Sequence, residues 1–221
     1  MKVKHLFLIV TSFLCISSVA TAGVLDPCES TAYVVPTGGT FSTCPFGDFQ
    51  TLGGNGITVY IEAKDNTGAP LAAAPASDFW FVDCDALECL FLCPFSANAD
   101  SATNLNGKTT ITGSIRGGGC VSGLAVVAQS LVIKAGNCVD DLCLDISVHT
   151  LDITGQTCPD PGSGITGNGL VDLGDFSFFA PANGSNPGDG NYEECLDYVP
   201  PTTINLSDFS FFGQHLGHVC P

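Results

Sequence analysis

Positive charge is nearly absent from this chain. Its 221 residues carry six Lys and Arg against 22 Asp and Glu, and two of the six, Lys2 and Lys4, stand in the opening "MKVKHLFLIVTSFLCISSVATAG". That stretch has the basic start, apolar run and small residues Ala20 and Ala22 of a secretory signal, so residues 1–22 are expected to be removed. Bulky Leu14 before Cys15 argues against lipid attachment there. The remainder keeps Lys64, Lys108, Arg116 and Lys134 against all 22 acids, a net charge of −18. Such a surface repels phosphate backbones and anionic lipid; it excludes nucleic-acid binding and suits divalent cations. Beyond the leader no run approaches the roughly 20 apolar residues of a spanning helix. Catalytic signatures are missing too. No Ser-His-Asp or Cys-His arrangement has local support, "RGGGC" lacks the helix and Lys of a phosphate loop, and His149 stands alone in a strand pattern. An exported, non-enzymatic protein is expected.

Cysteine, by contrast, is plentiful. Eleven follow the leader, at 28, 44, 84, 89, 93, 120, 138, 143, 158, 195 and 220. In an exported chain these spacings point to structural disulfides rather than metal thiolates. The odd count leaves one thiol over, or a bridge between molecules. Spacing does not fix connectivity; Cys28–Cys44, closing "CESTAYVVPTGGTFSTC", is the single pairing expected here.

Residues 23–156 are written in strands. "ITVYIEA" alternates Ile57, Val59, Ile61 and Ala63 with Thr58, Tyr60 and Glu62, the period of a half-buried strand. "KDNTGAPL" follows as a turn, and "DFWFVD", "KTTITGSI", "LAVVAQSLVI" and "CLDISVHTLDIT" are further β-rich runs. Short strands at this spacing predict a β-sandwich. "ITVYIEAKDNTGAPLAAAPASDFWF" and "ADSATNLNGKTTITGSI" resemble bacterial Ig-like domains of the invasin and intimin kind, which implies an Ig-like sandwich.

After "TCPDPGSG" the grammar changes, and DFSFF appears twice, with Asp175 and Asp208 33 positions apart. One supersecondary unit used twice is expected over 157–221, with repeats near 164–182 and 197–217. Counting back from Asp175 as the twelfth position of an EF-hand-type loop puts Gly169 at the sixth, Asn168 at the fifth, Thr166 at the third and Val171 at the eighth. Val171 and Ile204 would then pair the two loops back to back. Leu173, Phe176 and Phe179, and Leu206, Phe209, Phe212 and Leu216, mark the apolar face of two helices. Expected calcium ligands are Asp160, Thr166, Asn168, the Leu170 carbonyl and Asp175 in the first loop, and Asp197 and Asp208 in the second. The second has Val199, Pro201 and Thr202 where donors and the turn glycine belong, and the first has Gly164 at its opening position.

The "NGLVDLGDFSFF" pattern resembles type I dockerin modules. That resemblance implies a small domain of two loop-helix repeats that binds calcium and docks onto a cohesin-like partner, in polysaccharide breakdown or cell-surface assembly. The fold class expected for the whole is mainly β: an Ig-like sandwich followed by a small α-helical, dockerin-like domain. Two rivals stand beside attachment. In one the helix pair only stabilises the sandwich of a surface or adhesin-type protein, its ends tied by Cys158, Cys195 and Cys220. In the other the chain binds or cleaves carbohydrate through Trp80, Tyr60 or the Asp83, Asp85, Glu88 cluster, with Trp80 expected in the core. His215 and His218, with Cys220 beyond, have zinc-like spacing but read as surface histidines near a helix C-terminus.

Overall fold

The period-2 runs fold into two sheets packed face to face. The computed structural model describes residues 23–46, 51–84, 91–93, 96–133, 135, 143–153, 167–199 and 203–221. The first sheet joins β1 (Thr31–Val35), β3 (Thr58–Glu62) and β6 (Lys108–Ile111), antiparallel and in that order. The second takes β2 (Gly39–Thr43), β10 (Leu144–Thr150), β8 (Cys120–Ala128) and β4 (Phe79–Asp83) in turn, with β9 (Leu131–Ile133) also on β8. A short pair, β5 (Phe91–Leu92) with β7 (Gly117–Gly118), completes the strands among the described residues.

Strand order makes the sandwich Ig-like. Past the cis Val35–Pro36 bond the chain changes sheet: β1 is antiparallel to β3, whereas β2 is parallel to β10. β9 and β10 pair with successive parts of β8 on the side away from β4, so they are two halves of one interrupted strand position.

Alternation places the core. Ile57, Val59, Ile61 and Ala63 point inward and meet Phe79, Phe81, Ile111, Leu124 and Val126, all buried. Each large side chain of this kind contributes roughly 1.5–3 kcal/mol on burial. Trp80 departs from expectation. Phe79 and Phe81 take the core positions of β4, so Trp80 faces the other way and is half-buried.

Two helices follow, α1 (Leu173–Ala182) and α2 (Leu206–Gln214). Asp172 and Asn205 are their N-caps, each accepting a bond from the backbone two residues on, and Asp175 and Asp208 close capping boxes. Phe176, Phe179, Phe209 and Phe212 interlock between the helices, with ring centroids 5.5–6.5 Å apart. The apolar stripe is narrower than the periodicity suggests. Leu173 and Leu206 stand 72% and 73% exposed, because the capping boxes turn the first residue of each helix outward.

The helix pair does not stand apart from the sandwich. Its core of Val171, Phe179, Ala182, Leu196, Tyr198, Ile204 and Phe212 also contains Cys44, Leu151 and Ile153 from the end of the second sheet. Two disulfides cross the same seam, Cys120–Cys195 and Cys93–Cys220, and a third, Cys84–Cys143, lies within the sandwich. Cys195 and Cys220 therefore tie the helices to the strands rather than to one another. The expected Cys28–Cys44 bridge is not formed. Cys28 is disulfide-bonded elsewhere, while Cys44 keeps a buried thiol. The sheet change at Pro36 explains this: Cys28 precedes β1 in the first sheet, and Cys44 follows β2 in the second.

Candidate functional site

Both DFSFF aspartates are fully buried, and their acceptor capacity is directed at the backbone. Asp175 Oδ2 accepts from Asp172 N at 2.7 Å and Oδ1 from Ile153 N at 2.7 Å. Asp208 Oδ2 accepts from Asn205 N at 2.9 Å, and its Oδ1 from Tyr198 N and Val199 N, both at 2.8 Å. The two loops are thus built alike, and the likeness locates a residue that counting missed. Tyr198, which donates to Asp208, follows Asp197; Ile153, which donates to Asp175, follows Asp152. Asp152 is the counterpart of Asp197, 23 positions before its helix aspartate rather than 11, so an insertion of twelve residues separates the start of the first loop from its end.

Asp152 is buried and receives Asn168 N on Oδ1 at 2.8 Å and Gly169 N on Oδ2 at 2.6 Å. Burial pushes its carboxyl up to about 6 against these two bonds, and the nearby Asp175 and Asp172 push the same way. Its enclosure depends on glycine: a Cβ on Gly118 would run into the Asp152 carboxylate and the Gly167 backbone. Gly118→Ala is therefore expected to cost roughly 1–3 kcal/mol by overpacking. Urea denaturation measures it, and an unchanged midpoint would mean the loop does not lie against β7.

The predicted ligands are distributed unevenly. Asp160 and Thr166 lie outside the described residues. Asn168 Oδ1 accepts from Leu170 N at 2.9 Å, and Leu170 bridges to Val219. Asp197 Oδ2 accepts from the Tyr192 hydroxyl at 3.0 Å, and burial raises its pKa. In the second loop Asp208 accepts from three backbone N–H groups and Asp197 from the Tyr192 hydroxyl. In the first loop Asp152, Asp172 and Asp175 bring three carboxylates together, and their oxygens likewise accept backbone N–H groups. The described lysine pairs lie elsewhere, Lys64 and Lys108 both on Glu62 of the first sheet. An all-oxygen, acid-rich set of this kind suits a hard divalent cation.

Val171 and Ile204 are both fully buried in the core of the helix pair, while their backbones bond to other segments. Val171 exchanges backbone bonds with Gly217 and His218, past α2, and Ile204 with Gly184 and Ser185, past α1. Each loop clasps the exit of the opposite helix. Leu173 and Leu206, Ser177 and Ser210, and the edges of Phe178 (39% exposed) and Phe209 (40% exposed) reach solvent.

The remaining candidates separate. Asp83 is buried at the end of β4, whereas Asp85 and Glu88 lie outside the described residues. Tyr60 stacks on Tyr33 at 5.0 Å along a groove of about 370 Å³ on the outer face of the first sheet. His149 is buried in β10, where desolvation lowers its pKa. His215 is buried rather than exposed, and Cys220 is in a disulfide.

No family model matches this chain, and no curated protein does. Solved structures align loosely. They include the adhesin FdeC of Escherichia coli, at 17% identity over 58% of this chain and 33% of that one, TM-score 0.33. InvD of Yersinia pseudotuberculosis aligns at 17% identity over 62% and 33%, TM-score 0.33. A chain of a type II cohesin–X-dockerin complex from Acetivibrio cellulolyticus aligns at 16% identity over 86% and 97%, TM-score 0.29. This chain spans about a third of either adhesin chain.

Proposed function

We propose that this is an exported, non-enzymatic attachment protein in which an Ig-like sandwich carries a dockerin-like helix pair, and the outer face of that pair binds an extracellular protein domain. The observation behind the reading is the matched exposure of Leu173 and Leu206, at equivalent positions of the two helices and beside Ser177 and Ser210. Burying two such leucines in a partner contributes roughly 1.5–3 kcal/mol each before ordering costs. Calcium, where bound, is held at the first loop by Asp152, Asn168, the Leu170 carbonyl and Asp175, offsetting the mutual repulsion of the carboxylates. The second loop keeps its shape through Asp208 without metal.

Interferometry against a panel of cohesin domains, in calcium and in EDTA, tests the reading. Leu173→Asp with Leu206→Asp should lower affinity at least 100-fold while leaving the unfolding midpoint within a few degrees. Binding that survives both charges, or a panel that shows none, overturns it. A second reading has its own support: the shared core and the two seam disulfides make the helix pair a stabiliser of the sandwich. Under that reading the double variant changes neither binding nor stability.

A further inference from the structure

We propose that Cys44, His215 and His218 form a zinc site at the seam between the sandwich and α2. Cys44 directly follows β2 and is 1% exposed, and it keeps its thiol in a chain whose other described cysteines are in disulfides. His215 is the C-cap of α2 and is buried. Gly217, at φ +88°, then turns the chain so that the next imidazole comes back beside the first, ring planes 84° apart and centroids 5.2 Å apart. The turn is held from the other side, since Val171 N donates to His218 O at 2.9 Å. Two distant pieces of chain thus deliver three ligand-type atoms to one place.

The spacing suits a small tetrahedral ion. Bond lengths of about 2.3 Å to sulfur and 2.05 Å to nitrogen require tetrahedral edges of roughly 3.6 Å between S and N and 3.4 Å between two N. Cys44 Sγ lies 3.5 Å from His218 Nδ1, and all three ligand atoms lie within 4.8 Å of one another. One edge is already at its coordinated length, and the others close by at most about 1.4 Å of side-chain movement. Phe211 packs on His215 at 4.7 Å and Phe46 on His218 at 5.5 Å, limiting both the rings' freedom and water's approach.

Ligand chemistry selects the metal class. One thiolate and two imidazoles are too soft for calcium or magnesium and suit zinc, whose redox inertness leaves the thiolate intact. Three protein ligands leave a fourth position for water or an exogenous group. The site joins β2 to α2 beside the Cys93–Cys220 bridge, so metal binding adds another cross-link where sandwich and helices meet. Because binding is linked to folding, zinc raises the stability of the state that holds it.

The test uses the disulfide-intact chain, stripped with chelator and kept in excess calcium so that surface carboxylates are occupied. Competition with a chromophoric chelator should show one zinc per chain and a rise in Tm. Cys44→Ser and His218→Gln should each weaken binding at least 100-fold. Cobalt substituted for zinc should give a thiolate charge-transfer band that Cys44→Ser abolishes. His218 is half-exposed, so His218→Gln carries the test even if Cys44→Ser does not fold. Equal zinc affinity in wild type and both variants would place the metal on the acidic surface and overturn the proposal. So would uptake well below one equivalent, or bound cobalt without the thiolate band.

Discussion

Asp208→Ala is expected to lower the unfolding free energy by about 4 kcal/mol. The carboxylate is fully buried and accepts three backbone N–H groups, those of Tyr198, Val199 and Asn205, at 2.8–2.9 Å. Bonds to a charged acceptor are worth roughly 1.5–3 kcal/mol each, and a buried donor left without its acceptor costs about 1–3 kcal/mol. The change also removes one half of the α2 capping box. Asp208→Asn should recover part of the loss, because one amide oxygen can still accept while the NH2 group meets donors. Equilibrium urea unfolding gives both values. A loss below 1 kcal/mol for the alanine variant would show that this carboxylate does not organise the loop.

The second large effect concerns the seam. Pairwise replacement of Cys120 and Cys195 by serine, or of Cys93 and Cys220, should each cost about 4–5 kcal/mol by the chain-entropy relation for loops of 75 and 127 residues. The expected readout is a large drop in Tm, with sandwich and helices still melting together, because Leu151 and Ile153 share a core with Phe179 and Phe212. Two separate transitions, with the helical signal melting at its wild-type temperature, would mean that the helix pair folds independently of the strands. That outcome would favour a self-standing docking module over a fused one.

These expectations differ in how they could have been reached. Asp208 stands out in the sequence, because DFSFF recurs and counting back from it sets the loop. Its partners do not, since they are backbone N–H groups whose direction depends on the fold of the preceding turn. Asp152 was further hidden. Its place in the first loop shows only when Ile153 N is found on Asp175, across an insertion that breaks the spacing on which loop recognition depends. The same limit applies to Cys44. Cys28 is its expected partner in the sequence, but the chain changes sheet between them and carries Cys44 to the histidines at the far end.

What the sequence determined by itself was periodic or local. Alternation in "ITVYIEA" set a strand and its inward face, "DFWFVD" set a strand, Asp172 and Asn205 started two helices, and a repeated pentapeptide announced two similar units. Tertiary structure alone decided which sheet each strand joined, where Trp80 and Leu173 faced, and that Cys195 and Cys220 cross to the sandwich. The physical reason is range. Backbone sterics, capping and side-chain periodicity act within a few residues and leave their mark in order along the chain, whereas disulfides, shared cores and ligand clusters depend on distances that arise only once the chain has folded back on itself.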